Sequence, residues 1–208
     1  TYTATAWYHK QLPEDLQARD LPDVMSEVEA WTASDYTVAL MQGDKLPDDE
    51  RQGIVEMLSH YTGLSEDYVD RTQLRINIMR FCKELLREEN KTVGRLDSRF
   101  TGYTELAVTE YPEFDPSYSA ILPPYTAMFN NYVRTQLGYE NDDTYEILSF
   151  KVNQGWKYDQ GTFPDTSDRL RKALERNPYM RVYVGQGYYD LATPHFAAQY
   201  RLNHTGIH

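Results

Sequence analysis

The loop Gly185-Gln186-Gly187-Tyr188-Tyr189-Asp190-Leu191-Ala192-Thr193-Pro194 holds the carboxylate whose chemistry is easiest to argue from position. It follows a short apolar run, Met180-Arg181-Val182-Tyr183-Val184, and ends on a proline suited to the first turn of a helix. In open α/β sheets, functional groups gather in loops that leave the carboxyl ends of strands. Asp190 is the single carboxylate of this loop. So placed, it can orient a histidine and stabilise the imidazolium formed during nucleophilic attack. It can equally cap the helix that follows, or fix the turn. Gly185 and Gly187 are expected to let the backbone turn sharply.

Other chemistry-bearing residues give weaker patterns. Arg95, Asp97 and Arg99 alternate within a glycine-bounded segment, either as a surface ion-pair cluster or as substrate-facing groups. Cys82 is the only cysteine, which excludes an internal disulfide and a cysteine metal cage. Its neighbours Phe81, Leu85 and Leu86 read as a buried thiol rather than a nucleophile. The five histidines show no metal-ligand spacing, so neither a metal nor another cofactor is expected. Asp48-Asp49-Glu50 and Asp142-Asp143 lack the alternation and glycine of a calcium loop. The 18 tyrosines, with Trp7, Trp31 and Trp156, read first as ordinary packing. Tyr2, Trp7 and Tyr8 remain candidates for a substrate cleft.

The elements that must position these residues are mostly helices. Leu21 to about Ala33 carries Val24, Val28 and Trp31 at helical spacing. Ser34-Asp35 reads as the N-cap of a further helix that stops at Gly43. Pro47 with Asp48, Asp49 and Glu50 starts another, which ends at Gly63. Ser65-Glu66-Asp67 opens a short one, and Asn77 to Glu88 shows an amphipathic stripe. Asp115-Pro116 is a further start. After Pro123-Pro124, a separate stretch reads as helix with Tyr125, Met128, Phe129, Tyr132, Val133 and Leu137 on a core-facing side. Val93 to Pro112 reads as a long ordered loop or a pair of short strands. From about residue 145 the pattern changes: Tyr145 to Val152 is strand-like, and Gly155, Gly161 and Pro164 break the chain. Asp165 or Thr166 caps a helix to Arg176, Met180 to Val184 reads as a buried strand of a parallel sheet, and Thr193-Pro194 starts a last helix.

With 208 residues, 40% of them hydrophobic, the chain can bury a core. Its formal net charge of -11 repels polyanions, so neither nucleic acid nor a membrane is expected as a partner. The opening Thr1 to Tyr8 has no initiator Met, basic region or apolar core and reads as a chain entered mid-protein.

The segment Gly187 to Pro194 resembles the acid-bearing loop of the serine carboxypeptidase family, particularly its bacterial branch. Three further segments resemble that family in the same order: Tyr2 to His9, Tyr61 to Ser65, and Thr92 to Gly102. The resemblance implies an α/β fold class, with a mostly helical cap (lid) insertion over residues 1–160 and a partial α/β-hydrolase core over 161–208. It implies Asp190 as the triad acid, in the order Ser, Asp, His that this fold uses. The implied reaction is serine-type carboxypeptidase hydrolysis of a peptide substrate, releasing C-terminal amino acids. No Gly-x-Ser-x-Gly occurs in the chain, so the nucleophile is expected before Thr1 and the histidine beyond His208. His195 and His204 fall where the family does not place its base. The chain by itself is therefore expected to be inactive, with the remaining hydrolase core segments as partners. The resemblance leans toward export, while the sequence leaves the compartment undecided. The competing reading is a non-catalytic acidic helical module that binds a protein partner.

Overall fold

A run of short helices, each started by a cap or a proline, builds the first half of the chain. The computed structural model describes residues 1–157 and 165–206; Gly161 and Pro164, read as chain breakers, lie outside the described residues. The first helices are α1 (Tyr2–Tyr8), α2 (Glu14–Gln17) and α3 (Leu21–Trp31). A π-helical turn, Thr32–Tyr36, carries α3 without a break into α4 (Thr37–Gln42). Ser34 is thus not an N-cap: its hydroxyl donates back to the Ala30 carbonyl at 2.9 Å, as serine does inside a helix. Gly43 ends α4 at φ +57°, as the sequence predicts.

Next, α5 (Asp48–Thr62) starts after Pro47 with three acids in its first turn, where they meet the positive end of the helix dipole. It ends on Gly63 at φ +71°, where a Cβ would lie 2.7 Å from the Gln11 carbonyl oxygen. Glycine is required there by both conformation and space. In α6 (Glu66–Arg71) the Ser65 hydroxyl accepts from Tyr68 N at 3.2 Å, and in α7 (Ile78–Glu84) the Asn77 side chain accepts from Met79 N at 2.9 Å. The amphipathic stripe expected to reach Glu88 leaves the α-helix after Glu84, yet Phe81, Cys82, Leu85 and Leu86 are all buried. The Cys82 thiol is held well above its ordinary value, to about 12, chiefly by burial, which suits a packing role rather than nucleophilic chemistry.

Two three-residue strands, β1 (Lys91–Val93) and β2 (Thr101–Tyr103), pair antiparallel with Thr92 opposite Gly102. They are the only sheet among the described residues, so the molecule is mostly helical. Asp115-Pro116 does open a helix, but α8 (Pro116–Thr135) runs straight through Pro123 and Pro124. The two prolines remove the donors that would meet the Ser119 and Ala120 carbonyls, and both of those residues are exposed, so these carbonyls are open to solvent. The apolar stripe of α8 is also not core. Tyr125, Met128 and Tyr132 are exposed, and Phe129, although its ring stacks on Tyr145 at 3.9 Å, is still 39% exposed.

The strand-like reading of Tyr145 to Val152 is corrected too: α9 (Phe150–Gly155) takes its end, and the rest has no regular structure. After α10 (Ser167–Arg176), Met180 to Val184 joins no ladder among the described residues and is exposed, not buried. Its residues still alternate as in a strand. Met180, Val182 and Val184 are 37%, 46% and 48% exposed, against 97% and 93% for Tyr179 and Tyr183. Val182 and Val184 share a shallow groove with Leu170, Leu174 and Leu202. The last helix, α11 (His195–Asn203), begins just after Thr193-Pro194 as predicted.

The chain divides into two compact units, Thr1–Ser117 with Gln186–Ala197, and Tyr118–Gly185 with Ala198–His208. The core of the first is built on Ala6, Leu16, Val24, Val55, Val69, Phe81 and Leu191, all essentially inaccessible to solvent. Among the described residues no helix is long and apolar enough to cross a membrane.

Candidate functional site

The acid loop is anchored on both sides of Asp190. Leu191 is fully buried, and its N–H donates to the Arg95 carbonyl at 3.0 Å. On the other side, Ser98 N donates to the Tyr189 carbonyl at 2.9 Å. The segment Arg95 to Arg99 therefore lies directly against the acid loop, although the two pairs of partners are 91 and 96 positions apart in sequence.

That segment is itself rigid. Gly94 N donates to the Phe100 carbonyl at 2.9 Å and closes a tight turn. A Cβ on Gly94 would lie 2.5 Å from the Asp97 carbonyl oxygen and 2.6 Å from Ser117 Cβ, so only glycine fits. The Ser98 hydroxyl meets Thr5 Oγ1 at 2.6 Å, and its carbonyl accepts from His9 Nε2 at 2.7 Å. Helix α1 thus grips the segment from the other side.

Of the alternating charges, Arg99 and Asp97 pair through two side-chain bonds, at 2.6 and 2.9 Å. The hydrogen bond from Arg99 holds the Asp97 carboxyl below the usual carboxylate range. The Arg99 guanidinium also sits 5.0 Å over the Tyr189 ring, a cation–π contact. Tyr8 meets the same ring edge-on at 5.5 Å. Arg95 makes no ion pair among the described residues, and its backbone N–H donates to Asp115 Oδ1 at 3.2 Å.

Asp190 fixes its own loop. Its Oδ1 accepts from Ala192 N at 2.8 Å and Thr193 N at 2.9 Å, and its Oδ2 accepts from Thr193 Oγ1 at 2.5 Å. The Gln186 side chain closes the loop further by donating to the Thr193 carbonyl. Contrary to expectation, Gly185 and Gly187 do not make the turn, since neither has a positive φ and a Cβ on Gly187 would meet open space. The aspartate side chain does that work instead. Each carboxylate oxygen offers about two acceptor positions, so Oδ2 keeps room for an imidazole N–H.

The two histidines near the end are otherwise occupied. His195 is buried, with Nε2 2.6 Å from Glu29 Oε1 and Nδ1 3.3 Å from Thr1 Oγ1. Burial pushes its imidazole below the ordinary value, against the pull of Glu29. His204 Nδ1 lies 2.7 Å from the Tyr200 carbonyl. Of the cleft candidates, Tyr2 stacks on Phe81 with its hydroxyl bonded to the Ile76 carbonyl, and Trp7 Nε1 bonds to the Arg19 carbonyl. Only Tyr8, beside Tyr189, touches the acid loop. Sequence reasoning missed the Glu29–His195 pair and the Ser98–Tyr189 bond. Both join residues far apart in the chain, and neither has a local motif that marks it.

No family model, curated protein or solved structure matches this chain.

Proposed function

We propose that this chain is the helical cap and the acid-bearing segment of a serine-carboxypeptidase-like α/β-hydrolase, with Asp190 as the triad acid. The serine and histidine of the triad come from other segments of the intact protein. There, the serine hydroxyl attacks the last peptide carbonyl while histidine takes its proton. Asp190 holds the histidine in the right tautomer and stabilises the imidazolium. The C-terminal amino acid leaves with that proton, and water then hydrolyses the acyl-serine.

The observation that carries the reading is the paired backbone bonding on either side of Asp190. Two segments, each resembling the same family on sequence, meet through Ser98 N to Tyr189 O and Leu191 N to Arg95 O. A carboxylate on a loop clamped in this way has the fixed position that an orienting acid needs. The strand-like alternation of Met180 to Val184 adds support. One side adjoins the apolar groove while the other is bare, as expected of a sheet strand whose neighbours belong to further core segments. The second reading, a non-catalytic acidic module that binds a protein partner, is favoured by the exposed apolar face of α8.

The test is Asp190→Asn in the full-length gene product, assayed on a peptide with a free C-terminus. The remaining amide oxygen can still accept from Ala192 N and Thr193 N, so folding should hold. Turnover should fall roughly ten-thousand-fold, the scale seen when a triad acid loses its charge. Near-normal turnover with an unchanged melting temperature would remove Asp190 from the triad.

A further inference from the structure

We propose that a cavity of about 180 Å³ at the meeting of α1, α3 and α5 is a binding site for a small organic cation, held by aromatic walls and the Glu29 carboxylate. The volume corresponds to roughly six waters at about 30 Å³ each, enough for an ammonium on a short alkyl chain. Five aromatic rings line it: Tyr2, Trp31, Tyr36, Tyr61 and Phe196. Three of them have their hydroxyls bonded to fixed partners. Tyr2 donates to the Ile76 carbonyl at 3.0 Å, Tyr36 to the Leu74 carbonyl at 2.5 Å, and Tyr61 to Glu27 Oε1 at 2.9 Å. Trp31 stacks on Tyr36 at 5.5 Å and leans on Tyr61 at 5.2 Å, so this part of the wall is set before any ligand arrives. Ring faces carry negative charge density and attract cations.

Among the described residues, Glu29 is the only acidic or basic side chain that lines the cavity. Its Oε1 is held by His195 Nε2 at 2.6 Å, and no protein donor meets Oε2 among the described residues. Burial lowers the His195 imidazole below its ordinary value, which favours its neutral form. A preformed aromatic pocket with one carboxylate, whose Oε2 meets no protein donor among the described residues, matches an ammonium or guanidinium group. If the peptidase reading holds, the cation is the side chain of a substrate Lys or Arg. The binding itself does not depend on that reading.

The test titrates n-butylammonium and its neutral counterpart n-butanol into the protein at pH 7.5 and fixed ionic strength, read by the fluorescence of Trp31 and by calorimetry. The ammonium should bind at least tenfold more tightly than the alcohol. Glu29→Gln keeps an acceptor for His195 while removing the charge, and should bring the two ligands within twofold of each other at an unchanged melting temperature. Tyr36→Leu, which removes one wall, should weaken the ammonium at least fivefold. Equal binding of both ligands, a preference that survives Glu29→Gln, or no binding by either would overturn the proposal. Cation binding by a full-length gene product that fails to cleave peptides would keep this site and reject the peptidase.

Discussion

At the scale of single residues, buried charge is the most testable feature. Lys83 is completely inaccessible, and its ammonium donates to the Leu106 carbonyl at 2.8 Å and to both Glu113 oxygens at 3.1 Å. Breaking a buried pair costs about 3–5 kcal/mol, and the partial exposure of Glu113 favours the lower figure. Lys83→Met should therefore destabilise by about 3 kcal/mol in urea unfolding. Adding Glu113→Leu should recover part of that loss. The Glu113 carboxyl is drawn down to about 2, first by the hydrogen bond from Thr109 and then by its own backbone and Lys83. Its folded value lies below its unfolded one, so its contribution is complete above about pH 4.5 and is lost as the pH falls toward 2. The stability gap between the wild type and Glu113→Gln should be constant above pH 4.5 and close below it. A gap that stays constant down to pH 2 would contradict this assignment.

At the scale of elements, caps and left-handed glycines set the boundaries. Asn77 accepts from Met79 N and, at 3.3 Å, from Arg80 N, so Asn77→Ala should cost about 1 kcal/mol. Gly63→Ala should cost more than about 1 kcal/mol, since the left-handed backbone disfavours any Cβ and the Gln11 carbonyl blocks it. A melting temperature unchanged by either substitution would show that these ends are not held as described. Such ends were legible in the sequence because a cap or a glycine acts within a few residues. The starts at Pro47, Ser65, Asn77 and Pro116, and the stops at Gly43 and Gly63, all fall where local chemistry puts them. The misreadings have a different origin. Ser34 was hidden because a helix can absorb an extra residue as a π turn, and then serine bonds backward along the helix. The apolar stripe of α8 and the run Met180 to Val184 look buried by sequence and are exposed. Periodicity shows which side is apolar but not whether anything covers it.

At the scale of the whole molecule, the proposed role of Asp190 rests on its setting. The sequence marked the loop, and also marked Arg95 to Arg99 without a partner. Only the fold brings them together, through two backbone bonds and the Arg99–Tyr189 contact. The glycines that suggested a sharp turn prove not to make it, because a short polar side chain can close a loop that sequence would assign to backbone freedom. The proposed division of roles gives this chain the acid and other segments the nucleophile. It is tested most directly by treating the full-length gene product and the 208-residue chain, side by side, with a fluorophosphonate serine probe. Labelling of the full-length product and not of the short chain is the expected result. Labelling of neither would contradict the hydrolase reading and move the partner-binding module ahead. Labelling of the short chain would place a nucleophile within it and direct attention to Thr1, whose hydroxyl meets the carboxylate-paired His195.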